Sequence, residues 1–139
     1  QQQVERALAL TNLTELRHRS IGTLSGGQRQ RAFIAMALAQ NTKVLFLDEP
    51  TTFLDVRYQV EILRLVERLN REEGITIIMV LHDINQALHY SHEVIGLLDG
   101  KIAVHGKPED VITTKSIQEL YGIELPVIQA DGRLCVMAV

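Results

Sequence analysis

The sequence predicts an α/β fold in which buried parallel strands are flanked by helices. Two short apolar runs, residues 44–47 and 75–81, support this prediction, because continuous apolar character is typical of parallel strands covered on both faces. The third observation is the amphipathic stretch at 56–73, which has the length and periodicity of a helix. Such an alternation of strand and helix favours an α/β arrangement.

Composition limits the functional classes that need attention. The chain has 139 residues, 46% of them hydrophobic, which is enough for a real core. Its net charge is −3 and its basic residues are dispersed along the sequence, so nothing indicates the basic stripe of a nucleic-acid binder. The single cysteine, Cys135, has no partner for an internal disulfide and is interpreted as a small buried hydrophobe. The apolar runs are too short for a membrane span.

The first candidate site is the stretch Leu24-Ser-Gly-Gly-Gln28, which precedes a helical run. Ser25 and Gln28 have the spacing of a capping box. Gly26 and Gly27 carry no Cβ, so a phosphate of another molecule can approach the unpaired N–H groups of the helix N-terminus. Alone, these residues are better explained as a turn before a helix.

The second candidate site is a pair of acids, Asp48 and Glu49, directly after the first predicted strand. Ligands of open α/β sheets gather at the carboxyl ends of strands, and two acids there are costly unless they hold a cation or transfer protons. The alternative is that they cap the next helix. His82 follows the second strand and is expected at the same sheet edge.

Other polar residues have simpler interpretations. Asp55 and Asp83 are predicted N-caps, and Gly74 is predicted to end the long helix. Arg29 and Arg31 lie near a helix N-terminus against the usual dipole preference, so each is expected to have an anionic partner, either phosphate or a carboxylate.

The charged residues of the long helix are interpreted as a solvated face. His89 and His92 are interpreted as surface histidines, since no third metal ligand is evident. The segments 94–98 with 101–105, and 127–139, are predicted hairpins around Asp-Gly turns.

The ordered set formed by Ser25–Gln28, Asp48-Glu49 and His82 resembles the signature, Walker B and switch-histidine motifs of ATP-binding cassette (ABC) ATPases. The resemblance extends from Leu24 to about Gly122. The motif Thr51-Thr-Phe-Leu-Asp55, the motif Leu81-His-Asp-Ile-Asn-Gln-Ala87 and Met36 resemble importers of ferric siderophores, haem and cobalamin.

This resemblance implies the roles of the site residues. Asp48 would position Mg²⁺, usually through water, and Glu49 would polarise the attacking water. His82 would contact the ATP γ-phosphate, and Asp55 would lie in the D-loop at a dimer interface. The stretch from Ser25 through Gly26, Gly27 and Gln28 would contact ATP in trans, across a head-to-tail pair of subunits.

The resemblance also implies partners, location and domain organisation. The partners would be a second ATPase subunit, transmembrane permease subunits and, indirectly, a substrate-binding protein, with no nucleic acid. The location would be cytoplasmic, on the inner face of the cell membrane. The expected organisation is a single partial ABC ATPase domain, with the end of the helical subdomain at 1–23, the motif-bearing core at 24–106 and C-terminal helices with a hairpin at 107–139.

The sequence contains no Gly-x-x-x-x-Gly-Lys-Ser/Thr loop. It also begins without methionine, so we interpret it as the C-terminal half of a P-loop NTPase (RecA-like) sheet that lacks the P-loop strand. We expect the chain alone to be inactive. We also expect an unpaired strand edge, which leads either to a rearranged sheet or to dimerisation. The alternatives are a non-transport ABC ATPase of the DNA-repair or chromosome type, and a half-domain that acts only as an interaction module.

Overall fold

The computed structural model describes residues 1–138, which form two compact units divided between Leu81 and His82. The first unit contains α1 (Gln2–Leu10), α2 (Gly26–Leu38), β1 (Val44–Asp48), α3 (Val56–Glu73) and β2 (Thr76–Val80), with short 3₁₀ turns at Thr14–Leu16 and Ile21–Thr23. The second unit contains α4 (Ile84–Tyr90), β3 (Val94–Leu98), β4 (Lys101–Gly106), α5 (Pro108–Val111), α6 (Thr114–Tyr121), β5 (Val127–Ala130) and β6 (Arg133–Val136). The predicted α/β class is confirmed.

Strands β1 and β2 pair in parallel, and α3 connects them. Their register aligns Val44 with Thr76 at one end and Asp48 with Val80 at the other. The two carboxyl ends therefore lie at the same edge, as the sequence predicted for the strands that precede the acids and the histidine.

Local signals place the ends of α3 as predicted. The Asp55 carboxylate accepts a hydrogen bond from the Tyr58 N–H at 3.1 Å and so caps the first turn. Gly74 ends the helix at φ 65°, a left-handed conformation that glycine adopts without a Cβ penalty. Local residues therefore specify both ends of α3, the helix that connects the loop after β1 to the start of β2.

The core of the first unit lies between the helices and one face of the β1–β2 pair. It contains Ile34 and Leu38 of α2, Leu45 of β1, and Ile62 and Leu69 of α3. Burying such aliphatic side chains stabilises the fold by about 1.5–3 kcal/mol each.

The prediction that the strands are covered on both faces is wrong for the described residues. Leu45 is only 3% exposed, whereas Phe46, the next residue along β1, is 72% exposed. Ile78 and Val80 of β2 are also exposed. The physical reason is that the core helices pack on one face only, and an apolar run alone does not report how many faces are covered. Phe33 of α2 is likewise about half exposed.

Each strand pair is a separate two-stranded sheet, so β2 has no strand partner on its second edge among residues 1–138. The β1–β2 pair is parallel, and the expectation that this edge leads to a rearranged sheet or to dimerisation remains a prediction. The predicted division at residues 23 and 106 remains a prediction.

In the second unit, the two predicted hairpins form around Asp99-Gly100 and Asp131-Gly132, with positive φ at all four turn residues. Residue 139, which the sequence placed in the last hairpin, lies outside the described residues. The Asn85 side chain joins α4 to β6 through hydrogen bonds with the Val136 N–H at 2.8 Å and the Val136 carbonyl at 3.0 Å. No described helix has the length and apolar character needed to cross a membrane.

The exposed apolar face of the β1–β2 pair generates a prediction about self-association. We expect concentration-dependent association of the chain, and we expect Phe46→Lys to shift it toward monomer while keeping cooperative unfolding, because this side chain already faces solvent. Leu45→Lys is the matched control. It places a charge in the core and should cost about 4 kcal/mol or more. Sedimentation velocity and urea unfolding measure both effects; a chain that is monomeric at every concentration contradicts the prediction.

Candidate functional site

The glycine-rich stretch forms the N-terminus of α2, with Ser25 as its cap. The Gln28 N–H donates to Ser25 Oγ at 3.3 Å, and the Gln28 Oε1 accepts from the Ser25 N–H at 3.0 Å. The predicted capping box is therefore confirmed. The Ser25 hydroxyl acts here as an acceptor, so its own proton is left to donate to another group, and the first N–H groups of α2 have no intrahelical acceptor. An anion at this helix tip would meet several aligned donors.

The two glycines serve different purposes. A Cβ on Gly27 would lie 2.6 Å from Cδ1 of the Tyr58 ring, whereas a Cβ on Gly26 would lie 3.4 Å from Leu54, an ordinary contact. Gly27 is buried and Gly26 is exposed. The sequence predicts that both glycines allow the approach of a phosphate, but Gly27 is required by packing within the chain. No sequence pattern signals Tyr58 as its neighbour.

This contact brings two of the predicted motifs together. Leu54 belongs to the loop between β1 and α3, and Tyr58 belongs to the first turn of α3. Since Gly26 and Gly27 lie against these side chains, the N-terminus of α2 packs beside the predicted D-loop segment within the first unit.

The two acids occupy the end of β1 and the residue after it. Asp48 is exposed, and Glu49 is half-buried with a left-handed backbone at φ 48°. Such a conformation costs about 1–3 kcal/mol in a non-glycine residue and is concentrated at functional sites. Thr52 Oγ1 donates to Glu49 Oε2 at 3.3 Å, and the Thr52 N–H donates to the Glu49 carbonyl at 3.2 Å. Glu49 is therefore oriented by its loop, and Asp48 and Glu49 offer the hard oxygen ligands that Mg²⁺ prefers.

The loop after the acids contains a second strained residue, Phe53, at φ 63°. Its side chain is fully exposed, at 103% of the reference value, and Val56 beside it is also exposed. Asp55 is used as the cap of α3, so of its two predicted roles, helix cap and interface residue, the first is confirmed.

His82 is the first residue of the second unit and follows the end of β2 by two positions. Its side chain is exposed. Asp83 caps α4 as predicted, since its carboxylate accepts from the Gln86 N–H at 3.0 Å. Among residues 1–138, no three His, Cys, Asp or Glu side chains gather in a metal-binding group, and His89 Nε2 instead lies 2.8 Å from the Leu134 carbonyl oxygen.

Basic residues that are dispersed in the sequence converge in space. A groove of about 780 Å³ lies between the end of α1, the start of α2 and the length of α3, and five arginines line it: Arg31, Arg57, Arg64, Arg68 and Arg71. The interpretation of the four α3 arginines as part of a solvated face was therefore incomplete. They recur along α3 at helical spacing, but no sequence pattern indicates that Arg31 of α2 lies across from them.

A parallel strand pair with acids at its carboxyl edge, and a capped helix tip packed beside the loop that follows them, has the features of a ligand-binding α/β domain. Residues 1–52 match the profile of the ABC transporter family. The chain is 53% identical over 130 residues to the petrobactin import ATP-binding protein FpuC of Bacillus anthracis, and this match covers 94% of the chain and 48% of the relative. These matches confirm the predicted resemblance to the ATPases of ABC transporters.

Two further matches agree. The ferric enterobactin transport ATP-binding protein FepC of Escherichia coli K12 is 48% identical over 125 residues, with 90% of the chain and 46% of the relative covered. The fold matches a metal-chelate type ABC transporter in an inward-facing conformation, with a TM-score of 0.88 and 28% identity, over 99% of the chain and 57% of that structure. The chain thus spans about half the length of the curated relatives that it matches.

The Gly27–Tyr58 contact yields a stability prediction. Gly27→Ala should destabilise the chain by about 1–3 kcal/mol, because the added methyl overlaps the Tyr58 ring. Gly26→Ala is the matched control and should be neutral or stabilising by up to about 1 kcal/mol, since alanine favours a helix and its Cβ has room. Urea unfolding measures both. A double-mutant cycle with Tyr58→Ala should show strong coupling to Gly27→Ala; additive effects would contradict the contact.

Proposed function

We propose that this chain forms part of the ATP-binding and hydrolysing subunit of an ABC importer, which couples ATP hydrolysis to the uptake of an iron–siderophore, haem or cobalamin. The observation that carries the proposal is the position of Asp48 and Glu49 at the carboxyl edge of the parallel pair. The choice of siderophores is supported by relatives whose names specify petrobactin and ferric enterobactin import.

In this proposal the two acids have separate tasks. Glu49 acts as the general base that polarises the attacking water, and Thr52 and the strained backbone hold its carboxylate in one direction. Asp48 faces solvent beside it and holds Mg²⁺, usually through water. The metal ion supplies charge neutralisation for the phosphates.

The helix tip binds the phosphate of a nucleotide held by a second subunit. Ser25 donates its hydroxyl proton, the backbone N–H groups of Gly26 and Gly27 point along the helix axis, and Gln28 holds the cap in place. His82 contacts the γ-phosphate, and Asp55 and its loop lie at the interface of the head-to-tail pair.

The remaining partners are permease subunits in the membrane and, through them, a substrate-binding protein; no nucleic acid takes part. The subunit works at the cytoplasmic face of the cell membrane. The names of the relatives support this, since each describes an ATP-binding component of a transport or import system.

A chimera tests the proposal. The segment of this chain that aligns with the Bacillus anthracis relative over 130 residues replaces its counterpart there, and ATP hydrolysis is measured with Mg²⁺. We expect the chimera to hydrolyse ATP and Glu49→Gln to lower the rate by about 100-fold or more, because general-base catalysis contributes about 10²–10⁴-fold. Glu119→Gln makes the same chemical change at an exposed position of α6 and should leave the rate unchanged.

Wild-type turnover by the Glu49→Gln chimera would refute the assignment of the general base. The 139-residue chain alone provides the companion measurement. Without a Gly-x-x-x-x-Gly-Lys-Ser/Thr loop it should neither hydrolyse ATP nor bind it with micromolar affinity. Turnover by the pure chain, or micromolar binding by calorimetry, would contradict this expectation.

A further inference from the structure

The groove between α1, α2 and α3 is positively charged in a chain whose net charge is −3. Half of the ten arginines in the sequence line it, together with only two acids, Glu61 and Glu67. A volume of about 780 Å³ lies in the range of small-molecule sites, about 300–1,000 Å³. The groove is therefore a cationic cavity of ligand size.

The positive charge of the groove is only partly neutralised within the chain, and Arg71 is paired at 3.0 Å with Glu72, an acid that does not line the groove. Arg57 pairs with Glu61 at 3.1 Å, which uses one of the two acids. Arg68 is half-buried and donates to the carbonyl oxygen of Leu10, a neutral acceptor that leaves its charge uncompensated. The side chains of Arg31 and Arg64 make no hydrogen bond or ion pair within residues 1–138, and the carboxylate of the remaining lining acid, Glu67, likewise has no partner there.

The arrangement of these groups favours an elongated anion. From Arg57 to Arg71 the arginines follow one face of α3 over about 21 Å, at 1.5 Å per residue. The capped N-terminus of α2, with Ser25 and Gln28, lines the same groove and adds the positive end of a helix dipole. Guanidinium groups bind phosphate oxygens in a bidentate manner, and such charge-assisted bonds are the strong ones.

We propose that this groove binds a phosphate chain, either inorganic polyphosphate or the triphosphate of a free nucleotide, with Arg31 and Arg64 as the principal contacts. This site shares Ser25 and Gln28 with the proposed nucleotide contact at the helix tip, but none of its other ligands is an acid of β1 or a residue of the loop that follows. The groove is open, so the affinity falls short of micromolar. The inference stands whether or not the proposed hydrolytic function is correct.

The test is a titration of the 139-residue chain with tripolyphosphate, followed by ¹H–¹⁵N NMR. We expect saturable shifts in α2 and α3 that weaken as salt is added. Arg31→Gln and Arg64→Gln should each weaken binding about tenfold, since a charged hydrogen bond is worth about 1.5–3 kcal/mol and 1.4 kcal/mol is tenfold. Glu67→Gln should strengthen binding, because it removes an opposing charge.

Arg19→Gln is the matched control, as it removes the same charge from an exposed position outside the groove. An equal loss in Arg19→Gln would show a general charge effect and overturn the inference, as would the absence of saturable shifts. A second arm uses ATP. If the arginine variants weaken the binding of ATP and of tripolyphosphate alike, the groove binds a phosphate chain from either source. If they weaken only the binding of tripolyphosphate, the ligand is inorganic polyphosphate. Binding to phosphatidylglycerol vesicles that tripolyphosphate does not compete away would also overturn it.

Discussion

The close approach of Gly27 to the Tyr58 ring is the constraint on which the arrangement of the first unit depends. It seats the N-terminus of α2 on the first turn of α3, and α3 begins at the loop that follows Asp48 and Glu49. A side chain at position 27 would separate the helix tip from that loop. Gly27 lacks a Cβ because packing against Tyr58 requires it. Gly26 is exposed, so its lack of a side chain is the one that leaves room for a ligand.

The features that the sequence predicted well are those encoded locally. The capping box of Ser25 and Gln28, the Asp55 cap and the Gly74 terminus each need only residues within one helical turn. The position of Asp48 at the end of β1 was also predictable from the sequence, because the short β-branched and aliphatic run of this strand ends directly before the two acids. Local chemistry therefore gave the element boundaries and most of the candidate site.

The features that it missed depend on residues far apart in the chain. Phe46 was predicted to be buried, but burial depends on what covers the second face of the sheet. The partner of Gly27 lies thirty-one positions away, and nothing near the glycine specifies it. The arginine groove needs Arg31 of α2 to lie across from α3, whereas helical periodicity describes one helix at a time. Tertiary packing decides all three.

We propose that the capped helix tip of one copy, and the two acids and the imidazole of another, contact the terminal phosphate of a nucleotide. A crystal structure of the Glu49→Gln chimera with ATP and Mg²⁺ tests it most directly. The account predicts a γ-phosphate hydrogen-bonded to Ser25 of one copy, with Asp48, position 49 and His82 of the other copy around the same phosphate. A bound nucleotide that Ser25 does not contact, or position 49 and His82 at opposite ends of the sheet, would contradict it.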